Sequence, residues 1–353
     1  MTDTHANDAA PSAPRKPRLR TWSAFGDIRK RPSEYEIVTH GTNWTLREGR
    51  KSPLEGNPSS PGNLWISTYR DRSPLQAEDW HGFRDPDSHT YRSYVMLQDE
   101  QETRVNGLLE QYAAAGADAA LSPRWRRTLS QAYTPVRYLL HGSQQVEAYL
   151  GYIAPSSYIT NAAALSAADL LRRVTQISYR TRELQLTDPD QGFATGERRV
   201  WEESAAWQPA RKAIELALIA YDWGEAFTAL NLVLLPTLDD VLLRQFGELA
   251  RDNGDELTWL LTAYLRKDAE RRARWSGALA RYALAQRPEN AEVLGKWVRK
   301  WSPRADAAAD GLSTLLETLP EHGREAASVA AEAREARVSF LGDLGLGTAV
   351  SAG

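Results

Sequence analysis

The 353-residue chain is predicted to be all-α, a large helical bundle preceded by a long irregular arm. Three observations carry this expectation. From about residue 91 apolar side chains recur at helical spacing almost without a break, capping residues stand where those stretches begin, and nothing alternates as a strand would. Before residue 90 the pattern reverses. Pro11, Pro14, Pro17, Pro32, Pro53, Pro58, Pro61, Pro74 and Pro86, with Gly56-Asn-Pro-Ser-Ser-Pro-Gly62, leave no sustained helical period.

Residues 1–20 hold few large apolar side chains and are expected to form a disordered leader. Residues 21–90 differ, because Trp22, Phe25, Tyr35, Trp44, Trp65, Tyr69, Trp80 and Phe83 would be costly to leave in water. With no core of their own, these aromatics are expected to pack on the helical body and on a partner subunit, and they are the candidate interface residues. Removing the segment up to about His89 is then expected to impair assembly more than it unfolds the body.

The bundle is expected over residues 91–320. Ser122 suits an N-cap and Pro123 a first helical position, starting a helix towards Tyr133. Pro135 restarts it as far as Ile153, and Pro155 ends it. Residues 159–186 read as one long helix closed by Thr187-Asp-Pro-Asp-Gln-Gly192. The next spans 209–235, with Pro236 breaking it into a further helix to about Asp252. Its most apolar run, 213–236, carries Glu215, Asp222, Glu225 and Asn231, which suits burial in protein better than a bilayer. After the Asn253-Gly254 turn, Asp255 caps a helix to about Ala285, where Leu257, Leu261, Tyr264, Trp275, Leu279 and Tyr282 form one stripe. Shorter helices are expected at 289–300 and 303–319, then an Ala/Glu/Arg-rich helix and a flexible tail over 321–353.

Composition excludes several chemistries. The chain has no cysteine, which rules out disulfides, thiolate catalysis, Cys-ligated zinc and iron–sulfur clusters. A formal charge of −3 gives no general footing for nucleic acid or an anionic membrane, and the basic run Arg15-Lys-Pro-Arg-Leu-Arg20 lacks a wider basic face. Residues 1–14 lack the apolar segment of a secretory signal, so a cytoplasmic location is expected. Twelve Trp and fourteen Tyr outnumber six Phe, a balance that favours interfaces and wet clefts beside the core. No P-loop, nucleophile elbow or dinucleotide fingerprint appears in a suitable context.

The chemistry-bearing motif is a pair: Asp169-Leu-Leu-Arg172 and Asp268-Ala-Glu-Arg271, each inside a strong helix. Asp268 falls on the apolar stripe, whereas Asp169 sits nearer a stripe edge. Three residues apart on a helix, each Asp is expected to pair with its own Arg; the plainer alternative is two ordinary surface ion pairs. One Glu-x-x-His, Glu78 to His81, lies in the arm between Pro74 and Pro86 and reads as coincidence, since a di-iron site needs two such motifs and two further carboxylates. His141, with Tyr138 one turn before it, is expected to be a satisfied buried or interface histidine.

Many short blocks in order carry a family resemblance. They are Arg20-Thr-Trp-Ser-Ala-Phe25, Arg31-Pro-Ser-Glu-Tyr-Glu36, Asn63-Leu-Trp65, Tyr69-Arg-Asp-Arg-Ser-Pro-Leu75, Phe83-Arg-Asp-Pro-Asp87, Tyr179-Arg-Thr-Arg-Glu-Leu184, Asp222-Trp-Gly-Glu-Ala-Phe227, Lys267-Asp-Ala-Glu-Arg271 and Arg274-Trp-Ser276. Over residues 20–308 the chain resembles the β subunit of the hydroxylase component of bacterial multicomponent di-iron monooxygenases, the toluene, phenol and alkene oxidising group.

The resemblance implies a ferritin-like, ribonucleotide-reductase-like bundle and a paralogous α subunit that holds the di-iron centre. It implies no cofactor on this chain, because Asp169, Arg172, Asp268 and Arg271 stand where Glu-x-x-His would hold iron, and a guanidinium has five donors and no lone pair. It also implies an α2β2γ2 hydroxylase, served by an effector protein, a ferredoxin and an NADH reductase. That complex would insert one atom of O2 into an aromatic or alkene hydrocarbon, with no catalytic residue and no independent activity in this chain. Two alternatives stay open: a free-standing di-iron oxidase or ribonucleotide-reductase-like enzyme, and a helical adaptor unrelated to oxygenases.

Overall fold

The protein is described from a computed structural model covering residues 25, 26, 28, 30–45 and 59–347, and every regular element among these is helical. The arm contributes α1 (Glu34–Thr39), where the Ser33 hydroxyl accepts from the Glu36 N–H and the Glu36 carboxylate accepts back from the Ser33 N–H. It also contributes α2 (Pro61–Ile66), continued by a π-helical turn at Ser67–Asp71. Then come α3 (Tyr91–Ala114), α4 (Ala117–Ala120), α5 (Pro123–Thr128), α6 (Val136–Ile153) and α7 (Ser157–Thr187). The second half holds α8 (Glu197–Glu203), α9 (Gln208–Ala217), α10 (Trp223–Asp252), α11 (Glu256–Gln286), α12 (Asn290–Thr318) and α13 (Ala326–Asp343).

The helices α6, α7, α10 and α11 enclose the central core. The first two pack along their length, and α12 and α13 cover the remaining side of α10. The α3 helix lies outside α7 and α11 and shares a small apolar cluster of Val105, Leu109, Leu257 and Leu261 with α11. By length and composition α10 could cross a bilayer, but 83% of its most apolar window is buried inside the protein.

Three sequence expectations about helix ends are corrected. The stretch 209–235 is two helices, because Asp222 Oδ1 accepts from the N–H groups of Gly224 (2.9 Å) and Glu225 (3.0 Å) and so starts α10 afresh. Pro236 does not break α10. The π-helical run Thr228–Leu234 ahead of it widens the turn and gives its ring room against the carbonyl four residues back. Pro303 likewise lies inside α12, on its exposed side, and the helix runs through it.

The arm packs against the helical body. Phe83 and Tyr35 are buried in the main core with Leu75. Trp80 meets the buried Trp223 ring edge-on at 5.0 Å, and Trp65 donates to the Tyr149 hydroxyl at 3.0 Å. A Cβ added at Gly224 would lie 2.8 Å from Leu75, so the glycine is what lets the arm come this close to α10. These rings gain their buried area within this chain, and the arm forms a layer of the body.

Candidate functional site

The two Asp-x-x-Arg motifs come together in the protein interior. Asp169 and Asp268 are 3% and 2% exposed, which excludes ordinary surface pairs. The helices α7 and α11 run antiparallel here, and the ion pairs cross between them. Arg172 Nη1 donates to Asp268 Oδ2 at 2.5 Å, and Arg271 Nε donates to Asp169 Oδ2 at 3.0 Å. The expected pairing within each helix is therefore corrected. Where two helices face each other at 8–10 Å, an Asp is too short to turn its lone pairs away from the neighbour, while an Arg spans the gap.

On the α3 side a polar layer closes the site. Gln98 Nε2 bridges Asp169 Oδ1 (2.9 Å) and Asp268 Oδ1 (3.2 Å), and the Tyr94 hydroxyl donates to Asp169 Oδ1 at 2.7 Å. Glu102 accepts from Arg172 and from Gln176 Nε2 at 2.7 Å. On the α10 side lies a second charged layer that sequence reasoning missed. Asp239 receives Arg173 Nη1 at 2.9 Å and Arg272 Nη2 at 2.5 Å. The signal was present, because both motifs read Asp-x-x-Arg-Arg, with the second Arg one step further round the helix.

The electrostatics follow the number of guanidiniums at each carboxylate. Burial raises Asp239, but Arg272 and Arg173 together override it and hold the carboxyl below its usual range. Asp169 has one guanidinium and a carboxylate neighbour, so burial wins and its pKa is raised. Four guanidiniums thus meet the carboxylates of Asp169, Asp268, Asp239 and Glu102.

Glu147 on α6 is the carboxyl left over. It is fully buried, accepts from the Ser166 hydroxyl at 3.3 Å and has Asn231 beside it, and burial lifts its pKa to about 7. A carboxyl raised from 4.5 to about 7 binds its proton more tightly when folded, so it removes stability as pH rises through that interval. Glu147→Gln is expected to be nearly neutral at pH 4 and to stabilise by about 2–3 kcal/mol at pH 8. Urea unfolding at the two pH values checks this; equal effects would show that burial leaves the Glu147 carboxyl at its ordinary value.

This donor set does not fit iron. Arg172 and Arg271 present N–H groups where a ligand needs a lone pair, and both Asp169 oxygens already accept protein hydrogen bonds. Among the described residues no group of three or more His, Cys, Asp and Glu side chains is placed to hold a metal. Glu78 and His81 lie off the bundle, in the irregular segment around the 3-10 turn Trp80–Gly82. His141 is exposed on α6, which removes the buried half of its expected buried-or-interface place.

Of the candidate interface aromatics, Trp22 lies outside the described residues. Tyr35 and Phe83 are fully covered by this chain and have no face left for a partner, a correction that follows from their place in the core. Phe25, Trp44, Trp65, Tyr69 and Trp80 are half-buried. Phe25 lies 4.4 Å from the His40 ring, Trp44 donates to Asn63 at 3.2 Å, and Tyr69 meets Trp65 at a tilt and Tyr221 edge-on.

Comparison with known proteins agrees with this geometry. The profile of the methane/phenol/alkene hydroxylase family matches residues 65–287. The chain is 42% identical to the β subunit of the toluene-4-monooxygenase hydroxylase component of Ectopseudomonas mendocina, over 86% of this chain and 92% of that one. It is 24% identical to the small subunit of the propane 2-monooxygenase hydroxylase component of Gordonia sp., over 84% and 81%. A chain in a structure of toluene 4-monooxygenase with bound toluene superposes with a TM-score of 0.81 at 41% identity, covering 85% of this chain and 98% of that one. For phenol hydroxylase from Pseudomonas sp. OX1 the TM-score is 0.79 at 19% identity, over 97% and 98%, a likeness of fold. With the relatives named as β or small subunits, and with arginines where a metal-binding bundle needs ligands, the chain belongs to the methane/phenol/alkene hydroxylase family as a hydroxylase β subunit.

Proposed function

We propose that this chain is the metal-free scaffold of a cytoplasmic hydroxylase whose di-iron centre lies in a paralogous α subunit, in an α2β2γ2 assembly. The observation that supports this is the crossed pairing of Arg172 with Asp268 and of Arg271 with Asp169. It fixes the distance between α7 and α11 while filling the space with charge that neutralises itself. Oxygen activation and hydrocarbon binding belong to α, with electrons from NADH delivered by a reductase and a ferredoxin, and an effector protein acting on the assembly. The relatives' names mention toluene, propane, phenol and methane, so the substrate is a small hydrocarbon or phenol.

Co-expression with the α and γ chains, gel filtration and iron analysis on each separated chain test the reading. Iron should follow α, and the isolated β chain should show only background iron and no hydrocarbon oxidation. Tightly held iron at about two per isolated β chain would support a free-standing di-iron enzyme instead. Failure of the chains to associate would support an unrelated adaptor.

A further inference from the structure

The helices α9 and α12 meet at one end and leave a cleft at the other. At Gly311 of α12 an added Cβ would lie 2.4 Å from the Ala206 carbonyl oxygen, so the glycine is what lets the two backbones meet there. Towards its start α12 presents Ala307 and Pro303 to the cleft, and Ala205, Pro209 and Ala213, in and just before α9, form the other wall. None of these side chains is long enough to fill the space. The cleft holds about 670 Å³, within the roughly 300–1,000 Å³ of small-molecule sites. From Gly311 to Pro303 it follows about 12 Å of helix.

Its floor is apolar and its rim is cationic. Gln208 turns its amide Nε2 to the carbonyls of Trp201 (3.1 Å) and Ser204 (3.2 Å). The exposed Lys212 and the half-buried Arg304 are the charged lining residues, and among the described residues neither forms an ion pair. The carboxylates that follow them in sequence are held elsewhere, Glu215 by Arg211 and Asp306 by Arg334 and Arg337. Arg304 donates through Nη1 to the Lys300 carbonyl and lies 5.2 Å over the Trp301 ring, while its Nε and Nη2 bond to none of the described residues.

We propose that this cleft binds a small amphipathic carboxylate, with its apolar tail against Pro209, Ala213 and Ala307 and its head between Lys212 and Arg304. A guanidinium matches a carboxylate with two parallel N–H donors, and the lysine adds a point charge. A neutral hydrocarbon would cover the floor but leave both cations without a counter-charge. A helix from a partner would be blocked at Gly311, where the walls close. A medium-length alkyl chain ends within the cleft.

The test titrates octanoate calorimetrically into the full-length chain. Octanoate should saturate a single site, octanol should bind about tenfold more weakly for want of the charged head, and acetate, without a tail, should not saturate. Arg304→Gln and Lys212→Gln should each weaken octanoate about tenfold, and Ala307→Trp, which fills the cleft, should abolish binding. Lys267→Gln, at an exposed cation on α11, should leave it unchanged. The substituted side chains are exposed or half-buried, so circular dichroism melting of each variant should match the parent. Equal affinity for octanoate and octanol, or parental affinity in Arg304→Gln and Ala307→Trp, would overturn the proposal. So would binding to the isolated chain that is lost in the assembled hydroxylase, because another subunit would then cover the cleft.

Discussion

Replacing Arg271 by Met is expected to destabilise the protein by about 3–5 kcal/mol, the usual loss when one partner of a buried ion pair is removed. Arg271 is 2% exposed and, among the described residues, provides the only guanidinium bonded to Asp169. Without it, Asp169 keeps, among the described residues, the Tyr94 hydroxyl and the Gln98 amide, neutral donors that cannot offset the cost of burying its charge. The informative control is Arg271→Met with Asp169→Leu. Removing both charges should restore part of the loss, because it leaves Tyr94 and Gln98 without an acceptor but no unpaired ion. Urea unfolding followed by circular dichroism measures both. A single-variant loss under about 1 kcal/mol would mean that the site relaxes and admits water.

The second large effect lies in the arm. Phe83→Ala should cost about 3–5 kcal/mol, the range for emptying an aromatic site in a packed core. Phe83 is 1% exposed and packs at 5.9 Å, edge-on, against Tyr282 of α11. The residues beside it close the same seam, since Tyr282 donates to the Asp79 carbonyl and Arg84 lies 3.9 Å over the Tyr158 ring. Removing the arm up to His89 would strip Tyr35, Ile66, Leu75 and Phe83 from the core. On this ground truncation up to His89 is expected to harm folding as well as assembly. A truncated chain that melts cooperatively at the parent temperature would contradict this account.

The crossing of the charge pairs shows where sequence reasoning stops. The period of apolar residues marks α7 and α11, and the two Asp-x-x-Arg motifs are visible in the string. Which Arg meets which Asp depends on residues 96 and 102 apart in sequence, on two helices lying antiparallel at a fixed distance. Asp239 was passed over for the same reason. Alone on α10 it is an ordinary helical acid, and only packing places Arg173 and Arg272 around it. Pro236 and Pro303 looked like helix ends because local rules treat proline as a breaker, whereas a π turn and a solvent-facing ring absorb them.

By itself the amino-acid sequence determined the all-α class, most of the helices, the family and the unsuitability of guanidiniums as iron ligands. These depend on side-chain type and local period, which a string records. The tertiary structure alone decided that the charge pairs run between helices, that the arm belongs to the core, and that α9 and α12 leave a cleft between them. Each of these is a question of which surfaces meet, and burial is a property of the folded whole.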